Sequence, residues 1–182
     1  MLVGGVLAMA CAGCSQPDSS AAAPGAMPRY LGSGQTVELN ATTYFAHGHL
    51  LERQGMFERA AEQYEKALSI QPNFVTALNR LGVTLNKLAR HAEASERFRQ
   101  ALELNPGEAY LYNNLGFSLY LEGNYAQAEQ TIARALDIDP TFARARMNHA
   151  IVLARLGRFD DAFTELALVG TKADACFNMG LL

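Results

Sequence analysis

The sequence predicts an all-α protein, an α-solenoid in which short helical hairpins stack in single file. Three observations predict it. Pro72, Pro106 and Pro140 stand 34 residues apart. Small and apolar residues keep the same interval, with Ala60, Ala94, Ala128 and Ala162 in one register and Leu51, Leu85, Leu119 and Leu153 in another. Gly48, Gly82, Gly116 and Ala150 make a third register, and a ring follows the middle of each unit at Phe57, His91, Tyr125 and Phe159. A period in the range of 20–50 residues is the mark of a solenoid, whose units cannot bury their apolar faces alone.

Each element follows from its residues. Tyr44, Leu51, Phe57 and Tyr64 recur at helical spacing and fill the seam between neighbouring helices. The small residues mark the points where two helices cross, and the turn within each pair is expected at Gly55, Ala89, Gly123 and Gly157. The prolines end the second helix of each pair, since proline has no N–H and biases the residue before it away from the helical region. The repeats are expected at 41–74, 75–108, 109–142 and 143–172. The step from Ala150 to Gly180 is 30 residues, so the fourth repeat is expected to be clipped near Gly170 before a partial fifth at 173–182.

Composition narrows the functions. Of the 182 residues 49% are hydrophobic and 18% charged, so the chain can build a core. A net charge of -3 gives no general pull toward nucleic acid or anionic membrane. No phosphate loop, zinc pair or nucleophile constellation is seen, and the reading is of a non-enzyme with no cofactor, no metal and no small-molecule substrate. His47 and His149 take the place of a seam leucine and are read as packed core residues, while Cys176 is read as a small buried hydrophobe.

The N-terminal part is different. Leu2–Ala10 is an uncharged apolar stretch, suited to a secretory signal and too short for the roughly 20 residues of a membrane span. Cys11 and Cys14 form a C-x-x-C, open to a thiol role, but Ala12-Gly13-Cys14 resembles the lipobox of bacterial lipoproteins, with Cys11 where leucine is usual. That resemblance implies lipidation at Cys14 and a membrane-anchored place in the bacterial cell envelope; a plain signal or an uncleaved anchor is the alternative. Residues 15–40, rich in Ser, Ala, Pro and Gly, read as a flexible spacer. The absence of a basic start and of a polar capping helix reads as a truncated portion of a longer protein.

The repeat resembles the tetratricopeptide repeat. Tyr112-Asn113-Asn114-Leu115-Gly116-Phe117-Ser118-Leu119, followed by Gly123, Tyr125 and Ala128, is similar to its signature over residues 41–182. The resemblance implies a right-handed superhelix, with first helices lining the concave face and second helices the convex one. On that assignment Arg53, Arg80, Lys87, Arg144, Arg146 and Arg155 outnumber Glu52 and Glu122 on the first helices, and the second helices are net acidic. A basic groove for an acidic peptide is one reading; solvated helix faces with paired charges is the other.

Asn114, Asn148 and Asn178 stand two residues before the small position, with Ala46 and Arg80 there in the first two repeats. A row of asparagines can hydrogen-bond an extended peptide backbone, and this row resembles the asparagine ladder of long tetratricopeptide superhelices. Tyr110, Phe117 and Tyr120 are candidates for an apolar anchor pocket, or for ordinary helix contacts. The carboxylate clamp of chaperone-binding relatives fails at most of its places. The expected function is a protein-binding scaffold, by resemblance one that assists pilus or secretion assembly; the alternative is the repeat arm of a longer enzyme such as a glycosyltransferase.

Overall fold

In a computed structural model of the protein, the described residues are 30–31, 35–36 and 39–170. Two compact units divide at Glu38. The described part of the first is a two-stranded antiparallel ribbon, β1 (Tyr30–Leu31) and β2 (Gln35–Thr36), inside the stretch read as a spacer. The signal segment and Cys14 lie outside the described residues, as do Cys176 and Asn178.

The second unit holds eight helices: α1 (Ala41–Arg53), α2 (Phe57–Ile70), α3 (Val75–Lys87), α4 (His91–Leu104), α5 (Ala109–Leu121), α6 (Tyr125–Ile138), α7 (Ala143–Arg155) and α8 (Phe159–Ala167). They form four hairpins, α1 with α2 through α7 with α8, each packed on the next. The chain enters α1 at Asn40, whose side-chain oxygen accepts from the Thr43 backbone N–H at 2.9 Å and satisfies one of the orphan donors of the first turn. Helices α2, α4 and α6 end two residues before Pro72, Pro106 and Pro140. In the fourth hairpin α8 is nine residues long, against fourteen for α2, α4 and α6.

Every turn within a hairpin closes the same way. The N–H groups of Met56, Arg90, Asn124 and Arg158 donate to the carbonyls of Leu51, Leu85, Leu119 and Leu153, each at 2.9 Å. This six-to-one bond requires a left-handed residue just inside it. Gly55, Gly123 and Gly157 supply one, with φ of 75°, 84° and 77°; Ala89 does so at 58°, where its Cβ is unfavourable. The four leucines that accept are all buried.

The crossing points explain the small register. A Cβ at Gly48 would meet the Tyr64 ring at 2.8 Å, and one at Gly82 would meet the Phe98 ring at 2.7 Å. At Gly116 the obstructing atom is Cγ1 of Ile132. Each obstructing residue lies sixteen positions on in sequence, and in the fourth hairpin the same spacing pairs Ala150 with Leu166. Tyr64, Phe98 and Ile132 are wholly buried, and burying such side chains contributes about 1.5–3 kcal/mol each.

The first helices touch one another along the array, α1 with α3, α3 with α5 and α5 with α7, whereas no second helix touches the next second helix among the described residues. The first-helix side of this unit is therefore the tighter, concave one.

Candidate functional site

Neighbouring first helices are parallel and in step. Nδ2 of Asn114 donates to Oδ1 of Asn79 at 2.8 Å, and Nδ2 of Asn148 donates to Oδ1 of Asn113 at 2.8 Å. Nε of Arg155 reaches the Tyr120 hydroxyl at 3.4 Å. All three contacts span 35 residues, one more than the sequence period, and the offset holds from the second turn of the helices to their last turn. Asn113 Nδ2 also donates to Asn114 Oδ1 at 3.3 Å, so that Asn148, Asn113, Asn114 and Asn79 form a continuous run of side-chain amides across α7, α5 and α3.

That run borders a cavity of about 430 Å³ on the concave side. Its apolar wall is made by Val83, Phe98, Phe117 and Leu121, and its polar wall by the amides of Asn86, Asn113, Asn114 and Asn148 with the cations Lys87 and Arg144. Phe98 reaches the apolar wall from α4, its buried ring packed closely against Gly82. Among the described residues, no carboxylate lines this cavity.

The structure therefore brings together Lys87, Asn114, Phe117, Arg144 and Asn148 from the residues singled out in the sequence. It adds Val83, Asn86, Phe98, Asn113 and Leu121 to the same wall. Asn113, almost wholly buried, carries the amide run as much as Asn114 does. Its neighbour in register, Asn79, was the available signal in the sequence.

The other candidates stand apart from the cavity. Arg80 lies 3.8 Å from Glu52, which also accepts a 2.8 Å hydrogen bond from the Tyr64 hydroxyl. Burial, then the bond to Glu52 and its charge, raise the Tyr64 hydroxyl far above the ordinary tyrosine range, with Arg80 opposing. Tyr120 stacks on Phe117 at 6.0 Å between ring centroids and tilts against Tyr125 at 5.7 Å. Tyr110 is exposed at the start of α5, and Arg53 at the end of α1.

The charge pattern is less one-sided than a count by helix implies. Arg146 turns to α8, where its Nη1 donates to Glu165 at 2.7 Å while Nε and Nη2 donate to the Pro140 carbonyl. Glu165 also faces His149 Nδ1 at 3.1 Å, and Glu129 stands 3.6 Å from His149 Nε2. His149 is thus buried, as its register implies, with a carboxylate on either side of its ring. His47 holds the corresponding place in the first hairpin, 3.3 Å from Gln63. No group of three His, Cys, Asp or Glu among the described residues is placed to hold a metal. No helix among them is long and apolar enough to cross a membrane.

Profiles of the tetratricopeptide repeat match residues 48–89, 87–142 and 119–177. The chain carries tetratricopeptide repeats. Solved tetratricopeptide structures superimpose on it: MamA from Desulfovibrio magneticus RS-1 with a TM-score of 0.69 at 20% identity, over 74% of this chain and 76% of that one. YrrB, described as a tetratricopeptide protein with an unusual peptide-binding site, gives 0.65 at 27% identity, over 78% and 75%. An O-GlcNAc transferase of Thermobaculum terrenum gives 0.58 at 26% identity, over 62% of this chain and 22% of that one. A comparison with curated protein sequences found no match.

Proposed function

We propose that the repeat array is a non-catalytic scaffold that holds an extended peptide of a partner protein against α3, α5 and α7. The observation that carries this reading is the cavity bounded by an amide run and two cations, with no carboxylate among its described lining residues. Internal bonding uses part of each amide's capacity: Asn114 keeps one N–H, and Asn148 keeps one N–H and its oxygen. Those atoms can meet main-chain carbonyls and N–H groups without reading side chains. The likeness to YrrB, whose description includes a peptide-binding site, supports the same reading.

The anchor belongs to this proposal as well. Lipidation at Cys14 places the array at the bacterial envelope, and two or more acyl chains hold firmly where one does not. It rests on the residues before the spacer alone, and a clickable fatty acid label lost in a Cys14→Ala variant is the expected result. A role in assembling pilus or secretion machinery rests on that anchor and the repeats together. The alternative, a repeat arm of a longer glycosyltransferase, is favoured only by the partial likeness to the transferase; a transcript reading on into an α/β domain would support it.

The scaffold reading is tested by selecting binders to the full chain from a random peptide display library. Selected peptides are expected to lose at least about tenfold in affinity with Asn148→Ala, and to weaken with added salt. Peptides that bind Asn148→Ala and Arg144→Gln variants as tightly as the parent would overturn it.

A further inference from the structure

The cavity is layered along its helices. On α7, Arg144 stands four residues before Asn148; on α5, Asn113 stands four before Phe117, and Phe117 four before Leu121. On α3, Asn79 stands four before Val83. Residues four apart share a helix face, and each such step is about 6 Å along the axis at 1.5 Å per residue. The bonds from Asn148 to Asn113 and from Asn114 to Asn79 bring the amides of the three helices to one level. Arg144 lies one turn from that level, toward the start of α7. Phe117 and Val83 lie one turn from it in the opposite direction, with Leu121 a turn further.

The layers differ in chemistry. Of the two cations that line the cavity, Lys87 is engaged elsewhere, since its Nζ sits 4.8 Å over the Phe57 ring of α2. Arg144 is exposed and has no ion pair among the described residues, whereas Arg146 is paired with Glu165. It stands in the first turn of α7, where the positive end of the helix adds to its attraction for an anion. At the other end the Phe117 ring is held in place by its stacking on Tyr120. With Val83 and Leu121 it offers an apolar surface ready for a side chain.

We infer that the bound segment runs along α5 and α7 rather than across them, carrying an acidic side chain for Arg144 and a bulky apolar one for the wall at Phe117. Its backbone between those two side chains lies on the amides of Asn114 and Asn148. This rests on the peptide-binding reading above and adds to it the direction of the segment and the chemistry of its two ends. A segment lying across the helices at the amide level would meet one chemistry and leave the other two layers unused. Charge complementarity argues for the acidic end: Arg144 is the cation without a partner, and no carboxylate among the described lining residues repels the ligand.

The test uses the peptides selected on the full chain from the random display library, dye-labelled and titrated by fluorescence anisotropy. They are expected to share one acidic and one bulky apolar residue. Exchanging the acidic residue for its amide should cost about fivefold in the parent and nothing in Arg144→Gln. Exchanging the apolar residue for serine should cost at least about tenfold in the parent and clearly less in Phe117→Ala. Leu121→Ser, at the exposed end of the wall, provides the same reading should Phe117→Ala lose its helical circular dichroism. The crossed pairs should not couple: the acidic residue keeps its full cost in Phe117→Ala, and the apolar one in Arg144→Gln. Lys87→Gln should bind within about twofold of the parent. Selected peptides without an acidic or a bulky apolar residue, or equal costs in parent and variants, would overturn the layered assignment; continued weakening by Asn148→Ala would then leave the groove standing. Selected peptides indifferent to Asn148 and Arg144 alike, or none selected, would overturn the groove as well.

Discussion

The crossing of α3 over α4 offers a quantitative test of how these hairpins are held together. A methyl group at Gly82 would sit 2.7 Å from Cε1 and Cζ of Phe98, against the 3.4 Å or more of ordinary contact. The ring would have to retreat by about 0.7 Å, yet Phe98 is wholly buried with no solvent to move into. Overpacking of this kind costs about 1–3 kcal/mol, offset by about 1 kcal/mol because alanine is the better helix former. Gly82→Ala is therefore expected to lose about 1 kcal/mol. Phe98→Leu alone leaves a void where the ring was and is expected to lose a similar amount, about 1–2 kcal/mol. The double variant reproduces the Ala150 and Leu166 pair that the fourth hairpin already buries in one cluster, with a methyl added where ring volume is removed. Its loss should fall short of the sum of the single losses by at least about 1 kcal/mol. Urea unfolding of the full chain followed by far-UV circular dichroism measures all four proteins. Additivity to within about 0.5 kcal/mol would refute the claim that Gly82 is small because of Phe98.

Three further outcomes follow from local geometry. Ala89→Gly should stabilise the chain by about 1 kcal/mol in thermal or urea unfolding, because a left-handed φ of 58° disfavours a Cβ and the three equivalent turns already use glycine. Glu165→Ala should cost about 2–3 kcal/mol, since Arg146 and His149 are largely buried against that carboxylate; Glu93→Ala, which breaks the exposed pair with Arg90, should match the parent in the same assay. Tyr64 is held neutral in the fold, and its folded value lies above the unfolded value of about 10. Its contribution is thus complete below about pH 10 and is lost as pH rises beyond it. The parent should lose more stability than Tyr64→Phe between about pH 8 and about pH 11, and equal losses would contradict that assignment.

The helices were legible in the sequence because each hairpin repeats one solution to the same steric problem. The turn residues and the proline stops need no long-range information. Ala89 could be assigned to a turn only because it stands in register with three glycines, since nothing in its own chemistry asks for a positive φ. The groove was less legible. The period of 34 suggests that Asn114 and Asn148 meet each other, but neighbouring helices are offset by one residue, and the bonds run from Asn114 to Asn79 and from Asn148 to Asn113. That offset depends on how adjacent hairpins are rotated, which the repeat length does not contain. Direction was also hidden for the charges. Arg146 lies on a first helix like Arg144, yet two residues of rotation carry it to Glu165 on α8 while Arg144 lines the cavity. The histidines show the same limit: burial of His149 could be read from its register, but Glu129 and Glu165 on either side of it could not.

The most direct test of the central claim is an NMR titration of the isotopically labelled full chain with a library-selected peptide, observing the side-chain amides. Binding along the concave face predicts that the Nδ2 resonances of Asn114 and Asn148 shift first and saturate together, with α3, α5 and α7 backbone signals following. Shifts confined to α2, α4 and α6, with those two amides unmoved at saturation, would contradict it.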